Sequence, residues 1–231
     1  MARSKLIKDF ISSQMDIDTA LQNLMAILYC LEDESLINWT KKELSGYDIG
    51  DTLPQYRLLY GRVIADFFVG HMHYTKHPFA INHLDKKIQD SLLKIPINLS
   101  ISTLNEEIKK DSSFGSPISP EYYSMLQSNS NAKIVKAYVD INIVELSDII
   151  SKVKTKILET LLFLEKEFGN LDNLDIDISV KNAEEIKTIV QYIQVTLYDN
   201  SVSIGDNNKI KNSDIVTNKW SLTYWVKKLF K

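Results

Sequence analysis

The sequence predicts a mainly α fold, α+β with a minor β component, and three observations carry that expectation. Apolar residues recur three or four apart through residues 1–45 and again through 143–168, the period of a helix with one buried face. Short stretches near 134–143 and 175–180 alternate apolar and polar residues, the period of a strand. All five prolines (Pro54, Pro78, Pro96, Pro117, Pro120) lie in one stretch, which is therefore expected to hold most of the loops.

Leu6, Ile7, Phe10 and Ile11 predict a first helix. Asp16 or Asp18 caps a second, with Leu21, Leu24, Met25, Leu28 and Leu31 on one face. A third runs from about Ser35 to Leu44, turning Leu36, Trp39 and Leu44 inward, and Gly46 stands where a C-cap belongs. Within the proline segment, 85–93 reads as a short helix and 99–110 as extended, then helical. Residues 111–120 and 124–131 carry turn chemistry. The alternation of Val139, Ile141 and Ile143 marks a strand. Leu146, Ile150, Val153, Ile157, Leu161, Leu164 and Phe168 then mark a long core helix ending at Gly169, packed on the first three. Ile176, Ile178 and Val180 predict a second strand. A helix over 182–192 follows, reverting to strand over 193–198.

At 231 residues the chain can bury a core of its own. Its single cysteine, Cys30, excludes an intramolecular disulfide framework and suits a reducing compartment; the reading is of a buried helical thiol. The start lacks the apolar stretch of a secretory signal, and no window is apolar enough to span a bilayer. A cytoplasmic location is expected, extending to peripheral contact with the inner membrane.

The net charge of −3 hides an asymmetry. Residues 206–231 carry a surplus of four positive charges, leaving −7 on the rest. Three parts follow: a helical body over 1–170, an α/β extension over 171–199, and an Asn-rich segment with a basic aromatic tail over 200–231. In the last, Val202, Ile204, Ile210 and Ile215 alternate with Asn207, Asn208 and Asn212. Such Ile/Val columns and Asn ladders suit strands that pair with identical strands of other copies; a hairpin or polar linker has the same composition. Trp220, Tyr224, Trp225, Lys227, Lys228 and Phe230 suit a short helix that lies on an anionic membrane, docks on the body or meets a partner.

The seven glycines never cluster, which excludes the two glycine-rich phosphate loops. No serine sits in a nucleophile elbow. His71, His73, His77 and His83 crowd one stretch without a metal-ligand spacing, so neither a metal nor another cofactor is predicted. The acidic body does not favour nucleic acid. The distinctive residues are Trp39, Glu43, Gly46, Tyr47, Pro54, Tyr56 and Arg57. Glu43 follows Trp39 by one helical turn. Pro54 stiffens the returning loop, so that Tyr56 and Arg57 reach back to Glu43. A Glu–Arg pair with aromatic walls either ties a loop to a helix end or builds a pocket for a ligand or partner.

These residues, with Leu44 and Leu53, form a W-x3-E-L-x-G-Y block followed by L-P-x-Y-R, and there the chain resembles the bacterial AbiTii abortive-infection family. Residues 153–168 resemble the family's second block. The tail from Ser203 to Ile215 is similar to short Asn/Gly assembly motifs on other bacterial immunity proteins. The resemblance implies a role in phage defence and carries no catalytic mechanism. The expected protein is a non-enzymatic sensor or effector acting by self-assembly or by binding other defence proteins or a phage component, with a homo-oligomer as its working form. The alternatives are a hydrolase of nucleic acid or nucleotides using Glu43, Arg57 and the histidines, and a membrane-perturbing effector acting through the tail.

Overall fold

A computed structural model describes residues 3–110 and 114–198. All of them belong to one unit, Met1–Ser201. The expectations for 200–231 lie outside the described residues.

The helices assemble one layer. Helix α1 (Lys5–Ile11) is short and buries Leu6 and Ile7. Helix α2 (Ile17–Tyr29) starts at Asp16, whose carboxylate accepts the Thr19 N–H, and buries Leu21, Leu24, Ile27 and Leu28. Helix α3 (Glu34–Ser45) starts at Asp33 in the same way and stops at Gly46, whose φ is +90°. Helix α7 (Ile143–Phe168) runs unbroken from its Asn142 cap to Gly169 and turns Leu146, Ile149, Val153, Ile157, Leu161 and Leu164 inward. Full burial of each such side chain contributes roughly 1.5–3 kcal/mol. Helix α7 packs on α1, on α2, on α5 (Ile101–Lys109) and on α8 (Ala183–Tyr198), while α3 packs on α2, α5 and α8.

The second layer is a sheet inserted between α3 and α7. Strands β2 (Arg62–Val69) and β3 (Met72–Pro78) form a hairpin, and β6 (Ala132–Ile141) and β5 (Phe114–Pro117) complete the antiparallel order β3-β2-β6-β5. A two-stranded sheet pairs β1 (Leu58–Tyr60) with β4 (Lys94–Pro96). Val63, Ala65, Phe67, Ala137 and Val139 turn one face of the larger sheet toward a second core with Ile81, Ile118 and Leu126. Helix α4 (Lys86–Leu93) and the short helix α6 (Tyr123–Leu126) stand at this face. Ile95 touches both cores and joins the layers.

Mainly helical content with a minor sheet agrees with the sequence expectation, but several elements differ. Among the described residues the proline segment holds five of the six strands, because Pro78, Pro96 and Pro117 stand at strand ends, where a missing N–H costs nothing. Residues expected to be turns within 111–120 include β5, and 124–131 begins inside α6. Helix α5 starts at Ile101, so the extended part of 99–110 is two residues long. The strand expected over 175–180 is a loop closed by a 3-10 turn, Ile178–Val180; no strand lies beside it among the described residues. The expected reversion to strand over 193–198 is the last part of α8, because Ile189, Ile193 and Leu197 are buried at helical spacing. Cys30 caps α2 half-buried, with its thiol 3.2 Å from Asp175 Oδ1 and its pKa pushed up mainly by burial.

Candidate functional site

The distinctive residues converge on one point. Glu43 sits in the last turn of α3 and Trp39 one turn earlier on the same face; both are buried. Gly46 ends the helix against the segment before α5: a Cβ there would lie 2.7 Å from the Asn98 carbonyl oxygen. Tyr47 N–H donates to that carbonyl at 2.8 Å. The loop that follows is tied by Lys42 to Asp48 and Asp51 at 2.5 and 2.7 Å. Buried Pro54 then opens a 3-10 turn, Gln55–Arg57, that brings Tyr56 and Arg57 onto Glu43.

The carboxylate is saturated. Glu43 Oε1 accepts the Tyr47 hydroxyl at 2.7 Å, the Tyr56 hydroxyl at 2.7 Å and Arg57 Nε at 3.1 Å, and Oε2 pairs with Arg57 Nη2. Arg57 Nη1 donates to the carbonyls of Ile97 at 3.0 Å and Leu99 at 2.6 Å. Trp39 Nε1 donates to the Tyr56 hydroxyl at 3.0 Å. The Arg57 guanidinium lies 4.8 Å over the Tyr47 ring. Both charged side chains are 0% exposed. A buried bidentate pair holds its shape only when its remaining donors and acceptors are met, and here two carbonyls of the segment between β4 and α5 and two phenols meet them.

The electrostatics follow from this packing. Burial drives the Tyr47 and Tyr56 hydroxyls far above the usual tyrosine range, and the Glu43 charge adds to it. Burial alone would lower Arg57, but the Glu43 charge and hydrogen bonds outweigh it, so its pKa rises. Tyr198 is pushed up to about 12 by burial and by Asp33 and Glu43. The cluster is a buried ion pair walled by phenols that hold their protons more tightly than usual.

Three groups were not singled out from sequence, and two of them, Lys156 and Tyr198, stand beside the cluster. Lys156, on α7, is buried, donates to the Thr196 carbonyl at 2.7 Å and stands 5.3 Å over the Tyr56 ring. Its signal is a lysine among the inward positions Val153, Ile157 and Thr160. Tyr198 donates to the Ser35 carbonyl at 2.9 Å. Ser4 holds Glu165, which accepts its N–H and its hydroxyl, both at 2.6 Å; neither had a pattern to betray it.

The histidines do not join this site. All four are exposed; His73 stacks on Phe68 while His77 faces the other side of the sheet, near Phe67. Among the described residues no three His, Cys, Asp or Glu side chains are placed to hold a metal ion. A groove of about 680 Å³ lies between α4 and α6 over Ile95, Ile118 and Val139, and none of the residues around Glu43 lines it. Among the described residues no helix is long and apolar enough to cross a membrane. Of the proposed assembly and membrane residues, from Val202 to Phe230, all lie outside the described residues.

Fold and site together define an α+β protein whose most elaborate polar constellation, among the described residues, is an internal tie between the end of α3, a 3-10 turn and the segment that leads into α5. Residues 4–203 match the AbiTii family. The chain belongs to that family, and abortive infection in phage defence is the role that membership carries. No curated protein and no solved structure matches it.

Proposed function

We propose that this chain serves abortive infection as a non-enzymatic contact module, with the body holding a binding surface and residues 200–231 driving self-assembly. One observation carries this reading. Glu43 and Arg57, the strongest acid/base candidates of the sequence, are fully buried and spend their hydrogen bonds on each other, two phenols and two backbone carbonyls. A general base must reach a substrate proton; here the carboxylate is already occupied. Templated pairing of the Ile/Val and Asn columns over Val202–Ile215 supplies the effector step.

The test is made on the whole chain. Sedimentation velocity is expected to show concentration-dependent oligomers that Ile204→Asp/Ile210→Asp reduces to a smaller species, with plaque protection falling in parallel. Full protection by the dissociated variant would overturn the assembly reading.

A further inference from the structure

The larger sheet covers only one of its faces with the second core. The alternate residues form the other face, and the strand register orders them in rows. His73, Phe68 and Lys133 make the first row, Asp66 and Lys136 the next, Pro78, Ile64, Tyr138 and Pro117 the third, and Arg62 and Asp140 the last. Phe68 is 41% exposed and its ring stacks on His73 at 4.4 Å between centroids, 15° from parallel. Beside this pair, β6 bulges at Val135, which is 56% exposed. The bulge lies between Lys133 and Lys136, which are both exposed.

The charges on this face are unequally committed. Asp66 accepts the Lys76 backbone N–H at 2.6 Å, and Asp140 pairs with Arg62 at 3.2 Å. Lys133 and Lys136 have no carboxylate within 4.0 Å among the described residues. Two unengaged cations next to an exposed aromatic stack are the two parts of a single-strand platform: rings for base faces, ammonium groups for phosphates. A second copy fits less well. The free edge of β3 is broken at a bulge where Lys76 takes a φ of +48°, and the strand ends at Pro78, both of which hinder edge-to-edge pairing. The acidic average of the body hides this local surplus.

We propose that this sheet face binds single-stranded nucleic acid, stacking a base on Phe68 and His73 and holding phosphates with Lys133 and Lys136. The assignment rests on the contact-module reading and names its partner class. It requires no chemistry of the protein, only stacking and charge.

Fluorescence anisotropy with end-labelled oligothymidylate and oligouridylate of about 20 nucleotides, enough to span one such platform, tests it on the full chain at low salt. Phe68→Ala is expected to weaken binding roughly 5- to 150-fold, the range carried by one stacked base. Lys133→Glu/Lys136→Glu is expected to weaken it further and to flatten the salt dependence by about 1.4 in log–log slope, two phosphates at about 0.7 each. Lys152→Glu/Lys154→Glu, the same charge change on exposed positions of α7, leaves affinity within twofold (roughly 0.4 kcal/mol). Absence of binding overturns the proposal, as does binding that survives both sheet variants and so belongs to the basic tail. Loss of self-association in those variants without oligonucleotide binding also overturns it, making the face an interface between copies. The recovered probe separates the two readings. A shortened oligonucleotide overturns the non-enzymatic module, whereas an intact, unbound one overturns only the sheet-face assignment.

Discussion

Trp39 and Tyr56, seventeen residues apart in the chain, are joined by a hydrogen bond of 3.0 Å from the indole Nε1 to the phenol oxygen. The same hydroxyl donates to Glu43 at 2.7 Å, so it accepts from a neutral ring and donates to a charge. Tyr56→Phe keeps the ring and removes both bonds. It leaves the indole N–H without its acceptor and takes one donor from the carboxylate, at about 1–3 kcal/mol for each orphaned group. Urea unfolding is expected to show the loss in its midpoint with an unchanged slope; a midpoint equal to that of the parent chain would refute it.

The Glu43–Arg57 pair should be non-additive. Glu43→Leu strands a buried guanidinium and Arg57→Met a buried carboxylate, each at about 3–5 kcal/mol. The double variant strands neither charge, although the Ile97 and Leu99 carbonyls lose their donor. Its loss is expected to be smaller than the sum of the two singles. A double-mutant cycle with a coupling energy near zero would show that the pair does not act as a unit.

Gly46 and Gly50 separate conformation from contact. Both have a positive φ, +90° and +99°, but a Cβ at Gly46 meets backbone at 2.7 Å whereas nothing lies within 4 Å at Gly50. Gly50→Ala is expected to cost on the order of 1 kcal/mol, the left-handed penalty alone. Gly46→Ala should cost clearly more, because the end of α3 and the Asn98 segment must separate. Equal thermal shifts for the two variants would remove the contact from the explanation.

Alkali should destabilise this protein through its phenols. The folded-state pKa values of Tyr47 and Tyr56 stand above the unfolded value of about 10, so the stabilisation is complete below pH 10. Above it the unfolded chain releases protons that the folded chain keeps. Stability then falls by up to about 1.4 kcal/mol per pH unit for each of the two tyrosines. Tyr198 follows the same direction and stops contributing to the slope near its folded value of about 12. Denaturation in urea at stepped pH should give a shallower fall for Tyr47→Phe than for the parent chain; parallel profiles would contradict the assignment.

The elements that sequence patterns revealed are those whose burial is one-sided. Helix α7 has a single inward stripe, and α2 and α3 have side-chain caps and one apolar face, so period and cap agree. Strand β2 escaped because Val63, Ile64 and Ala65 are buried in succession, which erases the alternation. Strand β3 escaped for the opposite reason: nearly every residue is exposed and none marks a face. In α8 the β-branched residues Ile193, Val195 and Thr196 favour a strand locally, and packing of Ile193 and Leu197 overrides it. The Glu43–Arg57 meeting was legible because a glycine stop, a proline and a short loop leave the chain little choice of direction. That Arg57 also reaches the Ile97 and Leu99 carbonyls was not, because a backbone acceptor leaves no trace in residue type.

The insertion of the sheet between α3 and α7 has a consequence for synthesis. Helices α1 to α3 leave the ribosome first, yet α7, their apolar counterpart, begins only at Ile143. At about 5–20 residues per second, the nascent chain must hold the apolar faces of α1–α3 for several seconds before α7 emerges. Strands β2 and β3 close locally in that interval, whereas the grip of Ser4 on Glu165 waits for most of the chain. Residues 4 and 165 therefore mark a late step of vectorial folding, and a ribosome stalled short of α7 would present the helical half with its core open.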